Sequence, residues 1–77
     1  MKINSILVIG CGGMGERHIK ALINIKNIRV HCFDSDIKKI FLLKKKYNNS
    51  LSFYNNLSDC NEKNFDGVII SSPAYTH

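Results

Sequence analysis

Three glycines, Gly10, Gly12 and Gly15, stand in the run Gly10-Cys11-Gly12-Gly13-Met14-Gly15, directly after the apolar stretch Ile6-Leu7-Val8-Ile9. Their spacing suits the binding of a phosphate-bearing ligand. Gly10 permits a tight turn, Gly12 leaves no Cβ in the path of a pyrophosphate, and Gly15 lets a helix pack closely on the strand before it. A helix starting here offers unpaired N–H groups and a partial positive charge to phosphates. The chemistry these residues can do is cradling an anion, not breaking a bond.

A glycine loop alone is a weak signal, but its context adds to it. A strand precedes it, a helical pattern follows, and an acidic residue, Asp34, comes 19 positions after Gly15 at the end of a second strand. That is the layout of a dinucleotide site, with the carboxylate accepting bonds from the adenosine ribose. A carboxylate there also repels a 2′-phosphate, so NAD is favoured, with NADP possible if Lys38 or Lys39 reaches the same region. Asp34 competes for a second role as a helix cap, for which Asp36 is the better placed. A glycine turn with no ligand and an S-adenosylmethionine-binding fold are the two alternatives.

The elements that must position these residues are legible from periodicity. Ile3 to Ile9 reads as a strand apolar on both faces, as in a covered parallel sheet. Gly13 to Ile25 reads as a helix, with Met14, His18, Leu22 and Ile25 on one face and Ile19 and Ile23 beside it. Ile28 to Phe33 is the second strand. Ile37 to Tyr47 is the second helix, with Ile37, Ile40, Phe41 and Leu42 or Leu43 inward and the lysines outward. Asn48-Asn49-Ser50 breaks it. Leu51 to Tyr54 is a third strand and Asp66 to Ser72 a fourth, ended by Pro73. Between them Asn55–Asn64 is polar, with Leu57 and Cys60 to anchor a short helix or turn. The pattern predicts an α/β fold, an incomplete doubly wound parallel sheet of about four strands in order 3-2-1-4 with two main helices. The short polar connection leaves one sheet face and the fourth strand's edge short of cover, surfaces that favour association with a second copy.

Bulk properties exclude several classes. The chain has 77 residues, a net charge of +5 and an apolar fraction of 44%, an ordinary globular composition. Lys38, Lys39, Lys44, Lys45 and Lys46 account for much of the charge, and they fall on one helix without interleaved aromatics, so a solvated face is favoured over nucleic-acid binding. No apolar run is long enough for a membrane span. Cys11, Cys32 and Cys60 are odd in number and lack a CxxC, which fits reduced thiols and a cytoplasmic location. His18, His31 and His77 have no metal-ligand spacing.

Two stretches carry a family resemblance. Val8-Ile9-Gly10-Cys11-Gly12-Gly13-Met14-Gly15-Glu16-Arg17-His18 resembles the N-terminus of the Gfo/Idh/MocA family of NAD(P)-dependent oxidoreductases. Phe65-Asp66-Gly67-Val68-Ile69-Ile70-Ser71-Ser72-Pro73-Ala74-Tyr75-Thr76-His77 resembles that family's later strand and loop. The resemblance implies that residues 1–77 are the N-terminal part of an NAD(P)-binding Rossmann domain. It implies that the backbones of Cys11, Gly13 and Met14 hold the pyrophosphate and Asp34 the ribose. Ser71, Ser72 and Pro73 would line the cofactor, and His77 would lie towards the nicotinamide. The family's catalytic lysine motif, its further histidine and its substrate domain have no counterpart here. The expectation is therefore a cofactor-binding portion, inactive alone, of an oxidoreductase acting on a sugar, sugar acid or cyclitol. A non-catalytic dinucleotide-sensing module is the alternative.

Overall fold

The computed structural model describes residues 3–47, 50–56, 58, 60 and 65–71. Its elements run β1 (Asn4–Ile9), α1 (Gly13–Ile23), β2 (Ile28–Phe33), α2 (Ile37–Tyr47), β3 (Leu51–Tyr54) and β4 (Gly67–Ile70). The strands form one parallel sheet in the order β3-β2-β1-β4. This is the doubly wound arrangement that the apolar runs predict, with the chain reversing direction across the sheet at β1.

β1 sits centrally because it can bury side chains on both faces, and Leu7 and Val8 are both buried. On the helix-covered face, Val8, Val30, Cys32 and Leu51 pack with Ile19 of α1 and with Ile40 and Leu43 of α2. On the other face, Leu7 and Phe33 pack with Cys60, and Ile9, Tyr54 and Phe65 surround them. His31 lies there too, edge-on to the Phe65 ring and with Nδ1 3.1 Å from the Tyr54 hydroxyl.

The structure departs from the expected helix faces. The face of α1 turned to the sheet carries Gly15 and Ile19, with Leu22 and Ile23 partly buried, whereas Met14 and Ile25 are exposed. The helix also ends at Ile23 and not Ile25. Asn24 Nδ2 caps the Lys20 carbonyl at 3.1 Å, and Asn27 turns the chain with φ 66°, a left-handed conformation asparagine tolerates. In α2 only Ile40 and Leu43 are buried; Ile37, Phe41 and Leu42 are exposed.

The second sheet face is covered better than its polar connection implies. Cys60 and Phe65 shield Leu7 and Phe33. Cover fails only at β4, where Val68 is 52% and Ile70 68% exposed. Among the described residues no helix is long and apolar enough to cross a membrane.

Candidate functional site

The C-terminal ends of β1, β2 and β4 meet at the glycine loop. The register sets Ile9 beside Phe33 on one side and Ile70 on the other. Gly10 N–H donates to the Phe33 carbonyl at 2.9 Å, and Ser71 N–H donates to the Ile9 carbonyl at 2.9 Å. Gly10 then turns with φ 92°, a conformation in which a Cβ would be strained. Ser71 Oγ donates to the Gly10 carbonyl at 2.8 Å, also lying 3.1 Å from the Ile9 carbonyl, so its hydroxyl pins the turn.

The three glycines of the motif have separate roles. A Cβ at Gly15 would run into the Gly10 carbonyl and crowd Ser71 Oγ. Gly15 is therefore what seats α1 against the strand. A Cβ at Gly12 would meet nothing closer than Lys39 Nζ at 4.0 Å, so the space beside Gly12 is open. Gly12 is the N-cap of α1 and brings no side-chain hydrogen bond. The first-turn amides, on Gly13, Met14 and Gly15, thus lack the side-chain partner that a helix start commonly has.

Asp34 is buried, at 8% exposure. Its Oδ2 accepts the Cys11 N–H at 2.8 Å and its Oδ1 accepts the Asp36 N–H at 2.8 Å. One carboxylate thus ties the glycine loop to the start of α2. Asp36 does the capping: its Oδ1 accepts the Lys38 N–H at 2.9 Å and its carbonyl accepts the Lys39 N–H at 3.1 Å. Because the Cys11 amide is given to Asp34, it is directed away from a pyrophosphate, unlike the amides that follow it. The Cys11 side chain is buried at 6% exposure and approaches the Phe33 carbonyl at 3.4 Å. A hydrogen bond from Cys32 pulls its thiol below the ordinary range, against burial and the Asp34 charge, while that bond and burial push the Cys32 thiol up.

Above the loop lies a cleft of about 880 Å³. Gly10, Gly12, Gly13, Met14, Asp34 and Ser71 line it, as the sequence predicts. Cys11 and Gly15 lie behind it. Ser72, Pro73 and His77 fall outside the described residues. The cleft also takes in His18, Ser35 and Lys39, with apolar walls from Ile9, Phe33 and Ile70. Sequence reading passed over Ser35 and put His18 on the inward helix face. The signal for both was position: Ser35 follows Asp34, and His18 is one helical turn after Met14. No cluster of three or more metal-ligating side chains occurs among the described residues.

The comparisons agree with this geometry. Residues 4–77 match the Gfo/Idh/MocA description, an oxidoreductase family with an NAD-binding Rossmann fold. The WlbA dehydrogenase from Bordetella pertussis, solved in complex with NADH and UDP-GlcNAcA, superposes with a TM-score of 0.79 at 18% identity, over 100% of this chain and 23% of that one. The myo-inositol 2-dehydrogenase from Lactobacillus plantarum superposes with a TM-score of 0.74 at 27% identity, over 94% of this chain and 22% of that one. The chain thus spans less than a quarter of the length of either structure. No curated protein matches the chain.

Proposed function

The chain belongs to the Gfo/Idh/MocA family of oxidoreductases with an NAD-binding Rossmann fold, and from that premise we propose that it is the dinucleotide half-site of a dehydrogenase acting on a sugar, sugar acid or cyclitol. The observation that carries the reading is the open space at Gly12 above an uncapped helix start. Pyrophosphate fits there because no Cβ fills the cradle and the amides of Gly13 and Met14 need acceptors. Asp34, held from both sides, takes the adenosine ribose, and Ser71 holds the shape of the turn. Ser72, Pro73 and His77 extend the cofactor wall towards the nicotinamide.

The bound nicotinamide would supply the hydride chemistry; this chain's residues bind and orient it. The sugar and cyclitol reading draws on the similar dehydrogenases, one solved with UDP-GlcNAcA and one named for myo-inositol. We expect the 77-residue chain alone to turn over no polyol, because none of its site residues is assigned to proton transfer.

Gly12→Val tests the reading. Its Cβ enters open space, so the fold should persist while the branched side chain fills the cradle. NADH titration should then lose at least about tenfold in affinity, roughly the 1.4 kcal/mol that one lost phosphate contact represents. Unchanged NADH affinity in a folded Gly12→Val chain would mean that the loop does not cradle phosphate.

A further inference from the structure

We infer that Lys39 sets the cofactor preference of this cleft and makes a 2′-phosphate, and hence NADP as well as NAD, acceptable beside Asp34. The inference rests on the dinucleotide reading above and concerns which dinucleotide is chosen.

Two observations carry it. The first concerns Asp34, which ordinarily rejects a 2′-phosphate by charge. Here each of its oxygens already accepts a backbone N–H at 2.8 Å. Those bonds spread its charge onto the loop and hold the buried carboxylate in place, so it cannot swing out to meet a ribose substituent without giving up a hydrogen bond.

The second concerns Lys39. It stands in the first turn of α2 and lines the cleft together with Asp34 and Ser35. Its ammonium lies 4.0 Å from where a Gly12 Cβ would be. Ile40, next in the chain, is buried at 5% exposure, which fixes the helix rotation and with it the side of α2 from which Lys39 departs. Lys38 does not line the cleft. No carboxylate of the described residues forms an ion pair with Lys39; the salt bridge present joins Lys46 to Glu16. A long flexible stem with a compact charge can serve either a pyrophosphate near Gly12 or a phosphate on the ribose near Ser35. The Ser35 hydroxyl adds a donor on the ribose side.

The test is titration of the chain with NADH and with NADPH, for the wild type and for Lys39→Gln. Lys39 is exposed, and circular dichroism of the variant confirms that its fold is kept. The wild type should bind NADPH within about tenfold of NADH, and Lys39→Gln should weaken NADPH at least about tenfold more than NADH, the scale of one charge-assisted contact. Equal losses for both dinucleotides would place Lys39 on the shared pyrophosphate and overturn the inference, as would no loss for either. Wild-type binding of NADH with NADPH more than about a hundredfold weaker would mean that Asp34 dominates, leaving the dinucleotide reading intact. Failure of the wild type to bind either one would overturn that reading and this inference together.

Discussion

Gly12, Gly13 and Gly15 look interchangeable in a glycine-rich loop, yet each answers to a different constraint. Gly15 faces backbone that cannot move aside without unmaking the turn, because Ser71 and Phe33 both hold Gly10 in place. Gly15→Ala should therefore destabilise the chain by about 3 kcal/mol, at the upper end of overpacking costs. Gly13 has nothing within 4 Å of its Cβ position, so Gly13→Ala should be neutral or gain up to about 1 kcal/mol from a stiffer unfolded chain. Urea denaturation compares the two directly, and similar midpoints would refute this division of roles. The motif spacing and Asp34 were legible in the sequence because the chemistry needs those residue types at those intervals. Lys39 was legible only as a lysine on a helix. Its approach to Gly12 depends on the rotation of α2, which the burial of Ile40 decides. Nor could spacing reveal that the Cys11 amide serves Asp34, since that bond exists only once β1 and β2 lie side by side.

At the scale of elements, strand positions and strand order followed from apolar runs, but the inward helix faces did not. Hydropathy cannot see that a glycine is the contact point of α1. Once Gly15 is seated on Gly10, Ile19 lies over the sheet and Met14 turns to the cleft. A different contact joins the two helices: Glu16 Oε2 accepts from Lys46 Nζ at 2.9 Å and from the Tyr47 hydroxyl at 3.0 Å. The Lys46 and Tyr47 bonds hold the Glu16 carboxyl below its ordinary range, and burial together with the Glu16 bond raises Tyr47. A carboxyl lowered in the folded state contributes stability above its unfolded value, about 4.3, and that contribution fades as the pH falls through the folded value. Lys46 is exposed and the pair is solvent-screened, so the contribution is modest, about 0.5 kcal/mol. Glu16→Gln should thus lower the unfolding midpoint at pH 7 and converge with the wild type in acid. A gap between the two that widened below pH 4 would contradict the assigned sign.

For the molecule as a whole, the question is where the sheet ends. β3 and β4 are both edge strands, but their surroundings differ. β3 has α2 beside it, with Leu51 buried and Lys44 over the Phe53 ring at 5.8 Å. β4 lies at the opposite edge and exposes Val68 and Ile70 on one face. Ile70 also lines the cleft, where a bound ligand would cover part of it. Val68 has no such role. An apolar edge strand with unpaired backbone groups is a template for another strand, and lysine is the residue that sheets commonly use to blunt one. The net charge of +5 opposes association at long range, but salt screens it beyond about 8 Å at physiological ionic strength, whereas apolar burial persists. Self-association should therefore strengthen with added salt, the reverse of an interface built on charge. Sedimentation velocity over a concentration series should show the chain moving to larger species as salt increases, and Val68→Lys should shift it back towards the monomer. If Val68→Lys sediments like the wild type at every concentration, the β4 face is not the contact, and the exposed Ile37, Phe41 and Leu42 of α2 become the surface to mutate next.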